Sequence, residues 1–146
     1  MTDAKGDAFE GTLVGLIFNA TSVAGIATNA TTGALTSLSV QLHTASPGEA
    51  GSMVTNEATY GAYARMGVER TSSGWTVTAN SVSPTTNITF PQCTSGTNTV
   101  THFSVGTSTV AASTGVLLYY GTVTPNISVS AGVTPRLTTA TAITEA

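Results

Sequence analysis

The chain has 146 residues, 40% of them hydrophobic and only 8% charged, with a formal net charge of −3. That length suits one domain burying roughly two-thirds of its unfolded surface. Charged residues average about 25% of a soluble domain, and low charge with high hydropathy is the reverse of a disordered composition. The four basic side chains, Lys5, Arg65, Arg70 and Arg136, are dispersed, which excludes the phosphate neutralisation on which nucleic-acid affinity rests. The polar surface must come from Thr, Ser, Asn and Gly, which hydrate well but repel neighbouring chains weakly.

At the N-terminus, Asp3, Asp7 and Glu10 outweigh Lys5, so no secretory leader is expected. The apolar run Leu13 to Phe18 is broken by Asn19, Thr21 and Ser22, well short of the ~20 residues of a membrane span. No basic amphipathic stretch addresses a membrane surface either. Asp7 and Glu10 have the spacing of a capping box. Phe9, Leu13, Leu16 and Ile17 follow at helical spacing and predict one apolar stripe. Gly11 and Gly15 weaken this helix by up to ~1 kcal/mol each relative to Ala. The small-residue sequence that follows reads as a linker, so residues 1–35 form a helix and linker arm and 36–146 a β domain.

From residue 36 the period becomes 2. Leu38, Val40 and Leu42 alternate with Ser39, Gln41 and His43, which predicts a half-buried strand with His43 on its polar face. Ser46-Pro47-Gly48-Glu49 is turn chemistry. Met66 with Val68, then Trp75 with Val77 after the Ser73-Gly74 turn, continue the alternation and place Trp75 in the core. Further strands are expected at Ile88–Phe90, around Phe103, over Val116–Tyr120, at Ile127–Val129 and from Leu137 to Ile143. Tyr120 is expected to face inward and Tyr119 outward. About eight short antiparallel strands with regular turns and a short N-terminal helix indicate an all-β, jelly-roll-like β-sandwich.

The chemistry of catalysis and metal binding is thinly represented. His43, His102 and the lone Cys93 do not cluster at ligand spacing, and one cysteine forms no internal disulfide. No G-x-S-x-G elbow or phosphate-binding glycine loop is present. A remote triad of nucleophile, His and carboxylate assembled only in space would escape such a search. Glu49, Glu57 and Glu69 are the carboxylates to weigh for glycoside hydrolysis, but their contexts suit salt bridges and turns. The sequons at Asn19, Asn29, Asn87 and Asn126 reflect the abundance of Asn and Thr. The expectation is no catalytic residue, no cofactor and no metal. Tyr60, Tyr63, Tyr119 and Tyr120 are the aromatics available to stack on a sugar or anchor an interface.

Leu42-His43-Thr44-Ala45-Ser46-Pro47-Gly48, Thr55-Asn56-Glu57, Tyr63-Ala64-Arg65, Ser73-Gly74-Trp75, Thr89-Phe90-Pro91, Thr101-His102-Phe103, the Gly115–Gly121 strand and Val133-Thr134-Pro135 occur in this order across roughly residues 36–144. The pattern resembles small virion proteins of tailed bacteriophages, described as capsid decoration (cement) or tail-fibre-like proteins. The resemblance implies a non-enzymatic decoration protein on the capsid exterior, made in the host cytoplasm, that bridges major capsid protein subunits as a dimer or trimer. The alternative is a tail-associated, fibre-like module binding host-surface carbohydrate. The candidate assembly contacts are Leu13, Leu16 and Ile17 on the helix, with Pro47, Gly48, Tyr60, Tyr63 and Arg65 on the β domain.

Overall fold

The alternating segments form antiparallel strands in a computed structural model that describes residues 7–22 and 35–145, with side chains of the first stretch described from Glu10 onward. In chain order the elements are α1 (Asp7–Asn19), β1 (Ser37–His43), β2 (Met66–Glu69), β3 (Trp75–Thr78), β4 (Ser81–Pro84), β5 (Ile88–Thr89), β6 (Asn98–Gly106), β7 (Leu117–Val129), β8 (Arg136–Leu137) and β9 (Ile143–Thr144). Hydrogen bonding orders them as β2-β1-β6-β7, β3-β4-β9 and β5-β8. The protein is thus mainly antiparallel β with one short helix. No helix among the described residues is long and apolar enough to cross a membrane.

The chain divides into two compact units. One combines the N-terminal segment with Glu69–Asn87 and Thr138–Ala146, and the other combines Leu38–Val68 with Ile88–Leu137. Residues 23–34, most of the expected linker, and Lys5 lie outside the described residues.

In the first unit α1 packs on β3 and β4. Val14 and Phe18 are fully buried with Trp75 and Val82, and the Phe18 and Trp75 rings meet edge to face at 4.8 Å, a favoured aromatic geometry. The buried face is therefore Glu10, Val14 and Phe18, spaced i, i+4, i+8. The expected contacts Leu13, Leu16 and Ile17 are half-buried, and the Phe9 side chain lies outside the described residues. Glu10 turns inward and accepts a hydrogen bond from Asn80 Nδ2 at 3.1 Å, while the Asp7 side chain of the expected capping box lies outside the described residues. At the other helix end, Arg70 Nε donates to the Ile17 carbonyl at 2.7 Å and Nη2 to Leu16 at 2.9 Å. A cation here neutralises the negative end of the helix dipole and satisfies carbonyls that have no intrahelical partner.

Gly11 has a role the sequence does not reveal. A Cβ there would lie 2.7 Å from the backbone oxygen of Ala79, in the tight β3–β4 turn where Ala79 takes φ +53°. Gly11→Ala should therefore destabilise by about 1–3 kcal/mol through steric displacement, although alanine favours helix by up to ~1 kcal/mol. Urea unfolding checks the sign, and a more stable variant would refute the close fit. Strand β4 itself goes unforeseen, because Ser81-Val82-Ser83-Pro84 offers a single apolar residue; it pairs with β3 from Trp75↔Pro84 to Thr78↔Ser81.

In the second unit β1 and β6 pair from Ser39↔Gly106 to His43↔His102. Leu38, Val40 and Leu42 share one face with Phe103 and Val105, all buried. The opposite face carries Ser39, Gln41, His43 and Ser104, which are buried as well. The half-buried strand expected at β1 is thus buried on both faces, and His43 is interior at 0% exposure. The segments expected at 116–120 and 127–129 form one long strand, β7, with register shifts against β6 and a cis Thr124–Pro125 peptide. The segment from Leu137 to Ile143 instead splits into β8 and β9, separated by a turn in which Thr141 N–H donates to Thr138.

Candidate functional site

Polar and charged side chains of the second unit gather where β1 ends. After His43 the chain turns through Ser46-Pro47-Gly48, with Gly48 at φ +71° and its N–H donating to Ser46 Oγ at 3.2 Å. It returns so that Thr44 N–H donates to Asn56 O and Ala58 N–H to Leu42 O. Asn56, at φ +56°, reaches across to the Ser46 carbonyl at 2.9 Å. Asparagine tolerates this left-handed conformation better than most residues. This return places Glu57 beside His43 in an isolated antiparallel bridge.

Glu57 and Arg65 form the centre of the site. Arg65 Nε donates to Glu57 Oε1 at 2.7 Å and Nη2 donates to Oε2 at 2.8 Å, a bidentate fork. The Arg65 side chain is 1% exposed and that of Glu57 12%. Arg65 Nη1 donates to the carbonyls of Ser108, Val110 and Ser113 at 3.1, 2.9 and 2.9 Å. One guanidinium thereby closes the β6–β7 loop around itself. The hydrogen bonds to Glu57 raise the Arg65 pKa further above its usual value. Tyr63 Oη donates to Glu57 Oε1 and accepts from Leu42 N–H, both at 3.1 Å, and burial pushes its hydroxyl well above the ordinary tyrosine range.

The same loop is held from its other side by Met53, whose N–H donates to Thr114 O. Cβ atoms at Gly106 or Gly115 would collide with the Met53 side chain. Thus gripped, the loop presents Val110 at 67% and Val116 at 59% exposure.

Next to the clamp runs a buried polar row. His43 Nδ1 sits 2.9 Å from the Thr55 carbonyl and Nε2 2.7 Å from Ser104 Oγ. Ser104 Oγ is 2.6 Å from Gln41 Oε1, and Gln41 Nε2 is 2.7 Å from Ser39 Oγ. A serine within hydrogen-bond reach of a histidine is the geometry of a nucleophile and its base. Both residues are at 0% exposure, and a backbone carbonyl takes the place of the orienting carboxylate. Burial, opposed by the Thr55 carbonyl and Glu57, holds the His43 pKa below the ordinary value of 6.5.

The candidate contacts of this unit divide by burial. Tyr60 and Arg65 are interior, at 4% and 7% exposure. Tyr60 Oη donates to the Pro91 carbonyl at 3.1 Å, and burial pushes its hydroxyl up to about 12. Its ring meets that of Tyr63 edge to face at 5.3 Å. Pro47 is buried, while Gly48 and Tyr63 are half-buried. Tyr120, expected to face inward, is 38% exposed, while Tyr119 is half-buried. Val54, Val110, Val116 and Tyr120 are the large apolar residues that this unit shows to solvent. Val54 and Val110 sit among small polar residues with no periodicity to mark them, whereas Val116, expected in a strand with Tyr120, lies in the loop just before β7. Among the described residues, no group of three or more His, Cys, Asp or Glu could hold a metal ion.

The second unit is therefore an antiparallel β structure whose buried polar groups serve to fix its own loops. The chain belongs to the family described as podophage GP4 fiber I protein gp80, whose model matches residues 17–144. It is a bacteriophage virion structural protein of a fibre-related family. No curated protein matches the sequence.

Proposed function

We propose that the chain is a non-enzymatic structural component of a tail-associated fibre rather than a cement of the capsid shell. The observation that supports this reading is the family match, which spans 17–144 and carries the fibre description. The surface is compatible with it. Few charges need desolvation when such a surface is buried against other chains, and multivalent assembly turns modest contacts into durable ones. The Arg65 clamp contributes by holding Val110 and Val116 at a fixed loop tip, which lowers the ordering cost of any contact they make. Self-association into dimers or trimers belongs to the same proposal.

Copy number and position test it together. Gel densitometry of purified virions should find only a handful of copies per particle, and labelled antibody should mark the tail region. Hundreds of copies distributed over the shell would overturn the fibre reading in favour of decoration.

A further inference from the structure

The buried row on the polar face of β1 and β6 obeys a strict donor count. The Thr55 carbonyl can only accept, so His43 Nδ1, 2.9 Å away, must carry a proton. Ser104 has one hydroxyl proton and two neighbours that can take it: His43 Nε2 at 2.7 Å and Gln41 at 2.6 Å. If the proton goes to Gln41 Oε1, Nε2 must donate and the ring is an imidazolium. If the ring is neutral, Ser104 donates to Nε2, and Gln41 must present its NH2 to Ser104 and its oxygen to the Ser39 hydroxyl. Each charge state of His43 therefore has a continuous chain of hydrogen bonds, and the two differ in the direction of every bond from His43 Nε2 to Ser39. Buried polar groups are costly when left unpaired, so an interior histidine lacking a second arrangement would resist protonation until the fold opened.

We propose that Ser39, Gln41, Ser104 and His43 form a reversible proton relay, in which a proton taken up on His43 Nε2 turns the Gln41 amide over while the unit stays folded. The charged and titratable groups around His43 come from each neighbouring segment. Glu57 bridges it on one side, His102 faces it in the β6 register, and Arg65 and Tyr63 are bound to Glu57. On β7, Tyr120 stands opposite Ser104 and Thr122 opposite His102. Glu57 favours the proton, whereas His102 and Arg65 oppose it. The relay ends on Thr55, which belongs to the same return segment as Met53 and Glu57. Acidification is thus sensed next to the β6–β7 loop clamp.

NMR of the full chain with labelled histidine and glutamine side chains tests this. The neutral His43 ring should be the Nδ1–H tautomer, and the Gln41 side-chain amide resonances should titrate with the same midpoint as the ring. Gln41→Leu leaves the neutral arrangement nearly intact but strands the Ser104 proton in the charged one, so it should weaken proton binding by His43 about tenfold. A neutral ring found as the Nε2–H tautomer, or a midpoint unmoved in Gln41→Leu, would overturn the relay. If Gln41→Leu does not fold, the tautomer and the shared midpoint in the natural chain decide.

Discussion

Replacing Arg65 with methionine is expected to destabilise the protein by about 3–5 kcal/mol, the usual effect of removing one member of a buried ion pair. The substitution keeps most of the side-chain volume and strands two sets of groups. Glu57 loses both donors of its fork. The carbonyls of Ser108, Val110 and Ser113 lose Nη1. Tyr63 is left as the remaining side-chain donor to the Glu57 carboxylate in the clamp. Arg65→Lys should fall between the natural chain and the methionine variant, because a lysine is a point charge that cannot serve a carboxylate and a carbonyl cluster in one plane. Arg65→Met combined with Glu57→Gln should recover part of the loss, since the uncompensated buried charge disappears with its partner. Urea unfolding of the natural chain, Arg65→Met, Glu57→Gln and the double variant gives the coupling energy directly. Hydrogen exchange adds a local readout, with amides of the 107–116 loop expected to exchange faster in Arg65→Met. A loss below ~1 kcal/mol would class this pair with ordinary surface ion pairs and remove the clamp from the account of the loop.

The clamp also shows where sequence reasoning stops. Turn chemistry at Pro47-Gly48 and at Ser73-Gly74 is legible because it resides in the turn residues themselves, and Trp75 is legible as core because it alternates in step with Val77. Arg65 and Glu57 are eight positions apart and meet only through the return after β1, and three of the Arg65 acceptors are backbone oxygens that no side-chain pattern encodes. Period 2 tells which residues of β1 share a face but not whether that face is covered, so His43 reads as a surface residue although it is interior. The helix illustrates a different limit. Phe9, Leu13, Leu16 and Ile17 make a more apolar stripe than Glu10, Val14 and Phe18, yet the second set is buried. The face is set by where Gly11 allows the helix to approach Ala79 and by the fit of Phe18 against Trp75. Neither is visible without the strands in place.

Acidification should destabilise the protein, beginning near the ordinary histidine value of 6.5 and continuing down to the lowered value that burial imposes on His43. Within that window the unfolded chain binds a proton on His43 that the folded chain does not. The unfolded state therefore holds more protons, and stability rises with pH. One such group gives a slope of at most about 1.4 kcal/mol per pH unit. Below the folded value of His43 both states carry the proton, and this contribution becomes flat. Urea midpoints measured at half-unit steps from pH 7.5 downward should show the slope in the natural chain and lose this part of it in His43→Gln, whose amide can still donate toward Thr55 and accept from Ser104. Gln41→Leu separates the relay from simple burial. If the Gln41 amide must turn over to accept the charged ring, removing it lets the slope run to lower pH before it flattens, because the folded chain refuses the proton for longer. Identical pH profiles for the natural chain and His43→Gln would show that His43 is not the group that couples folding to pH.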